Sequence, residues 1–156
     1  MRLTATVFDE LRHDGGSQQR RWIDATRLTP ASSPVDVEVT TEELGFVMSI
    51  HPDCCNAHGT LHGGVAAWAL GAITRVHAAS RWGSHAAAPA TVSLTVSYLK
   101  GPRRGATVGL RSWCRRLGRR TAFFDAAIQD TATGADLVRA THIVRRPDTS
   151  THKAKL

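Results

Sequence analysis

What this chain has little of narrows the reading first. No apolar run reaches the roughly 18 residues of a membrane-spanning helix, because Arg75 and His77 interrupt the best stretch. The opening residues, Met1-Arg2-Leu3-Thr4, lack the apolar core of a signal peptide. Cysteine is sparse at three residues, and two of these, Cys54 and Cys55, are adjacent. That is no disulfide framework, so a reduced, cytoplasmic compartment is the expectation. The eight histidines and three cysteines fall in no recognised ligand spacing, and no metal is expected. Lysine is almost missing: Lys100, Lys153 and Lys155 are all there is.

The formal charge of +7 is therefore carried mostly by arginine. Basic chains often meet nucleic acid, yet no aromatic ladder or helix-turn-helix spacing accompanies these arginines, and no nucleic acid or membrane partner is expected. They cluster near expected turns and strand ends, as Arg103 and Arg104, Arg115 and Arg116, Arg119 and Arg120, Arg145 and Arg146. Solvated turns account for such pairs. A docking surface for a phosphorylated ligand accounts for them too, since arginine forks match phosphate oxygens.

What is present describes a single globular domain. With 156 residues the chain is long enough to bury a real core, and 42% apolar with 21% charged residues is ordinary for one. Residues 1–34 read as an N-terminal extension, with apolar residues too sparse for a core and a break at Asp14-Gly15-Gly16-Ser17. From Val35, alternation with Asp36 and Glu38 predicts a half-buried strand. Thr41 to Gly45 turns it back into a second strand, Phe46–His51, ended by Pro52. Val65 to Ala79 is apolar, alanine-rich and free of proline, which predicts a buried helix. Val92, Leu94, Val96 and Tyr98 then alternate with Thr91, Ser93, Thr95 and Ser97, the clearest strand signal in the chain. Three more strands are expected at about 106–116, 120–130 and 136–146. The expected domain is 35–147, with 148–156 a polar tail.

The most informative segment is Asn56-Ala57-His58-Gly59-Thr60-Leu61-His62-Gly63-Gly64, because it leads directly into the helix. Two glycines let the backbone approach a ligand, and first-turn N–H groups have no intrahelical partner. A helix entrance of this kind can hold an anion or a developing oxyanion. A glycine turn into a core helix, with two solvated polar residues beside it, would look the same on spacing alone.

N-x-x-G-x-x-H-G-G followed by a long apolar helix resembles the entry to the central helix of hotdog-fold acyl-CoA thioesterases, specifically the PaaI-like and THEM2-like group. The resemblance extends over roughly residues 35–146. It takes in the strand from Thr91 to Leu99, the Gly-Pro-Arg-Arg-Gly turn at 101–105, the Leu117-Gly118-Arg119-Arg120 turn, and the strand pair ending Ala140-Thr141-His142. It implies an α+β hotdog fold, an antiparallel sheet wrapped around one helix. It also implies a homodimer or homotetramer that pairs strands across a two-fold axis, and sites between subunits.

The substrate implied is an acyl-CoA or an acyl-carrier thioester. No cofactor is implied beyond coenzyme A as part of the substrate. By resemblance Asn56 holds the loop or the attacking water, His62 shapes the loop and contacts the thioester, and Gly63 offers its N–H to the carbonyl oxygen. Gly64 continues the turn. Thr91 matches a serine or threonine that assists near a catalytic carboxylate. Tyr98 reads as a packing residue.

One departure outweighs the matches. The group carries that carboxylate on the helix nine residues after the motif histidine, and here the position is Gly71. Gly71 either packs closely against a partner helix or leaves room for an acyl group. Asp53 and His58 are the leading candidates for a relocated base, followed by His62, Thr74 and His77. Cys54 and Cys55 are conceivable nucleophiles with no base fixed by the sequence. Trp68 is a candidate wall for the acyl group or a core residue, and Arg103, Arg104, Arg119 and Arg120 are candidates for the phosphates. The functional expectation is thioester hydrolysis with a non-standard base. The alternatives are a hotdog protein that binds an acyl thioester without cleaving it, and a dehydratase or isomerase with His62 or His77 moving the proton.

Overall fold

The computed structural model describes residues 38–39, 42–83 and 89–147. The expected extension at 1–34 and tail at 148–156 lie outside these, as do Val35 to Val37.

Six strands and one long helix follow in order: β1 (Glu38–Val39), β2 (Glu43–Ser49), α1 (Gly63–Trp82), β3 (Ala90–Tyr98), β4 (Thr107–Leu117), β5 (Thr121–Asp130) and β6 (Asp136–Arg145). The strands form one antiparallel sheet in the order β1-β2-β4-β5-β6-β3. The helix follows β2, near one edge, and leads into β3, at the other, and on its way it lies across β4, β5, β6 and β3. This is the hotdog arrangement. No described helix is long and apolar enough to cross a membrane.

Helix α1 runs 20 residues, about 30 Å at 1.5 Å per residue. It begins two residues before the expected start because the His62 side chain caps it, its Nδ1 accepting from the Gly64 N–H at 3.0 Å. It ends three residues later than expected, at Trp82, and is capped by Gly83, whose φ of 61° is the left-handed conformation that glycine supplies at helix ends. Small side chains let the sheet close around it. Leu70, Ile73 and Val76 meet Leu110, Ile128 and Val138 in one buried cluster, and burying a leucine or isoleucine fully contributes about 1.5–3 kcal/mol.

Three expected strands fall within a residue of their observed bounds. The second strand starts earlier than expected, at Glu43 rather than Phe46. One register expectation is overturned. Strict alternation places Thr91 on the polar face of β3, with Ser93, Thr95 and Ser97. The pairing with β6 instead slips between Thr91 and Ser93, so that Thr91 stands opposite Val144 and Ser93 opposite Ile143. Val144 is fully buried, and directly paired residues share a face. Val92 is thus an extra residue, a bulge that turns Thr91 toward the helix side.

Candidate functional site

The motif loop is built around one amide. Asn56 Oδ1 accepts from the N–H groups of His58 (3.0 Å) and Thr60 (3.2 Å), and its Nδ2 donates to Thr60 Oγ1 at 3.0 Å. The loop is then stitched to the turn at 101–105: Leu61 N–H donates to Pro102 O at 2.8 Å and Arg104 N–H to Gly59 O at 2.9 Å. Arg103 and Arg104 are exposed beside it.

At the helix entrance each glycine has a visible cause. A Cβ on Gly64 would lie 3.1 Å from the His62 Nδ1, and one on Gly63 would lie 3.3 Å from the ring edge of Tyr98. Tyr98, half-exposed on β3, donates its hydroxyl to Gly63 O at 2.9 Å. Its part is more than packing, since it ties the edge strand to the helix entrance. With Gly64 N–H occupied by His62, the N–H groups of Gly63 and Val65 have no acceptor among the described residues.

The expected substitute bases are not gathered there. Asp53 sits in the short turn Pro52–Cys54 with its side chain 74% exposed, 3.3 Å from His51 Nδ1. His58 is exposed, and its described bond is a backbone one to Asn56. Cys54 is buried, and that burial, with Cys55 and Asp53 adding to it, pushes its thiol up, away from the reactive thiolate. Cys55 is half-buried and points its Sγ at His51 O. Trp68 is half-buried against the core. His77 is buried near the other end of the helix, 3.1 Å from Ser112 Oγ and against Phe124. Burial and then the nearby Arg81 lower it to about 4. Arg119 and Arg120 belong to the β4–β5 turn, which meets the helix C-terminus where Trp82 Nε1 donates to Gly118 O at 2.9 Å. Within one chain they are therefore far from Arg103 and Arg104.

Around Gly71 the structure brings together Thr74 and Thr91, both singled out from the sequence, and His142, which sequence reasoning missed. A Cβ there would meet only Leu94 Cδ2 at 3.5 Å and His142 Cε1 at 4.0 Å, both ordinary contacts. Gly71 therefore faces its own chain's sheet. His142 is 1% exposed, with Nε2 3.0 Å from Thr91 Oγ1 and Nδ1 hydrogen-bonded to Thr74 Oγ1. Burial and then Arg75 lower the imidazole to about 4, so it is neutral near pH 7. The available signal was inward alternation along β6, with Val138, Ala140, His142 and Val144 on one face. Among the described residues no three histidine, cysteine or acidic side chains gather as metal ligands would.

A groove of about 480 Å³ lies elsewhere, on the outer face of the sheet between Trp113, Arg115 and Arg139, and shares no residue with the motif loop.

The sequence profile of the thioesterase superfamily matches residues 58–134, from within the motif loop to the turn before β6. Over those residues the chain is similar to that superfamily, and its fold is the hotdog fold. Among solved structures, thioesterase superfamily member 2 of the mouse superposes with a TM-score of 0.71 at 16% identity, covering 93% of this chain and 98% of that one. The zebrafish thioesterase superfamily member 2 gives 0.65 at 21%, covering 81% and 91%. A hypothetical thioesterase of Streptococcus pneumoniae, solved with coenzyme A, gives 0.63 at 18%, covering 73% and 89%. At these identities the hotdog likeness is one of fold. No curated protein matches the chain in sequence.

Proposed function

We propose that this hotdog protein hydrolyses an acyl thioester of coenzyme A or of a pantetheine-bearing carrier, working as a homo-oligomer. The observation that carries the reading is the helix entrance, where the N–H groups of Gly63 and Val65 lack acceptors while two ring-covered glycines bring the backbone to the surface. Attack on a thioester turns a neutral carbonyl oxygen into an oxyanion, and fixed N–H donors at a helix start stabilise that change. Arg103 and Arg104, tied to the same loop, suit the phosphates of coenzyme A. The coenzyme A in the Streptococcus pneumoniae structure agrees with this choice of ligand. Hydrolysis needs water and no cofactor, and the cytoplasm supplies such thioesters.

The oligomer is argued from β3. Among the described residues this nine-residue strand closes one edge of the sheet with no neighbour on its outer side, and Val92 and Tyr98 on it and Leu99 just after it are exposed. A bare edge invites pairing, and a second copy in antiparallel array is the occupant that also completes the site. Thr74, which marks the His142 group, lies eleven residues into the helix from Gly63, about 16 Å by helical rise. One chain cannot bring both to one carbonyl carbon. Two antiparallel copies can, with Gly63 of one beside Thr91 of the other.

A second reading, binding without cleavage, is favoured by Gly71 alone, since no carboxylate stands on that helix. Thiol release over a panel of aliphatic and aromatic acyl-CoAs separates the two. Turnover supports hydrolysis; a raised melting temperature without turnover supports the binding protein.

A further inference from the structure

We propose that Thr91 is the nucleophile of this thioester reaction, that His142 takes its proton, and that Thr74 holds the imidazole in place. The inference rests on the thioester reading above and supplies what Gly71 leaves out.

Three observations converge. The bulge at Val92 inserts one residue where the strand would otherwise alternate, and its effect is to turn Thr91 onto the side of His142. Such insertions often serve to re-aim a side chain. We assign the proton positions as part of the proposal. Thr74 Oγ1 lies 2.9 Å from Leu70 O and 3.0 Å from Gly71 O, neither of which donates. We direct its hydroxyl proton to one of these carbonyls, so that Oγ1 accepts from His142 Nδ1–H. His142 Nε2 is left as an acceptor, 3.0 Å from the Thr91 hydroxyl. Access completes the argument. His142 is buried while Thr91 is exposed at the edge of the described sheet, so Thr91 is the face that this group shows to the second copy's helix entrance and to a ligand held there. Nucleophile, base and orienting group stand in the order that hydroxyl catalysis requires.

The chemistry balances without a further reagent. Thr91 Oγ bonds to the thioester carbonyl carbon as its proton passes to His142 Nε2. The carbonyl oxygen gains negative charge and is held by Gly63 N–H of a second copy. The C–S bond breaks, the thiolate takes the proton from Nε2, and an ester on Thr91 remains. Water then attacks that ester and gives its proton to Nε2. The C–O bond breaks, the acid leaves, and Thr91 Oγ recovers the proton. Burial and then Arg75 keep the imidazole neutral at rest, and the same shift makes it a weak base, so the proton stays on Nε2 only until the thiolate takes it.

The test is thiol release from octanoyl-CoA and benzoyl-CoA by the full chain, beside Thr91→Ala, Thr91→Ser and His142→Gln. An alkyl β-lactone serves as a probe for an activated hydroxyl, located by peptide mass spectrometry. Thr91→Ser keeps the hydroxyl that His142 meets and should keep the wild-type melting temperature, and Thr91→Ala should stay folded with a lowered one, even if His142→Gln does not fold. The expected result is a loss of about 10²-fold or more in Thr91→Ala, retention in Thr91→Ser, and a lactone adduct on Thr91 of the wild type. Turnover of Thr91→Ala within about threefold of wild type overturns the proposal and leaves the thioesterase reading standing. So does a lactone adduct on another residue with Thr91 bare. A wild-type chain that cleaves neither thioester overturns both.

Discussion

Replacing Gly63 by proline isolates a single backbone hydrogen. Position 63 is the first residue of α1, where the N–H has no intrahelical partner and the proline ring already has a helical φ. The residue before a proline must be extended, and His62 is, at φ −63° and ψ 132°. The new Cβ makes one tight contact, with Tyr98, whose ring edge would lie 3.3 Å from it. That side chain is 57% exposed and can yield by a few tenths of an ångström. Gly63→Ala places the same Cβ and keeps the N–H, so the pair differs mainly in one donor. Loss of one oxyanion donor costs about 10²–10³ in kcat, or about 2.7–4 kcal/mol. We therefore expect Gly63→Pro to fall at least about 10²-fold below Gly63→Ala in kcat for acyl-CoA cleavage, while thermal unfolding shows both folded. A folded proline variant that cleaves as fast as the alanine variant would refute the placement of the carbonyl at Gly63.

Other expectations follow from the same features. His77 and His142 are both lowered from 6.5 to about 4, so between those values the unfolded chain binds more protons than the folded one. Stability should be full above pH 6.5 and fall as pH drops toward 4, by about 2 kcal/mol per histidine at pH 5. Denaturant unfolding from pH 7 to 4 checks this, and His77 or His142 ring signals titrating near 6.5 would contradict it. Gly71→Ala should stabilise by up to about 1 kcal/mol, because its Cβ finds only ordinary contacts; a lower melting temperature would show the space to be tighter. His62→Ala removes the helix cap and should cost about 0.5–2 kcal/mol in denaturant unfolding, with Gly64→Ala similar because its Cβ displaces the same ring.

The fold was legible because its signals are local. An alanine-rich run between glycines and evenly spaced alternating strands each state their own secondary structure. The loop was legible in part: the glycines and His62 marked the helix entrance, but not that His62 spends its Nδ1 on the helix cap or that Asn56 is absorbed by Thr60 and His58. The group around Gly71 was legible only in part, since Thr74 and Thr91 were named but His142 was not, and the reason is physical. Thr74, Thr91 and His142 are brought together by register, and the register depends on a bulge at Val92 that no glycine or proline announces. Strict alternation, the strongest signal in the chain, pointed Thr91 the wrong way.

The distance along α1 between its first N–H and the Thr91–His142 pair has a genetic consequence. If each carbonyl is held by one copy and attacked by the other, two inactive variants can repair each other. Gly63→Pro lacks the donor but keeps the hydroxyl, and Thr91→Ala the reverse. In a two-fold dimer assembled at random from equal amounts of both, half the dimers are mixed, and each mixed dimer holds one intact centre of two. About a quarter of the wild-type rate should return, from two proteins that alone have next to none.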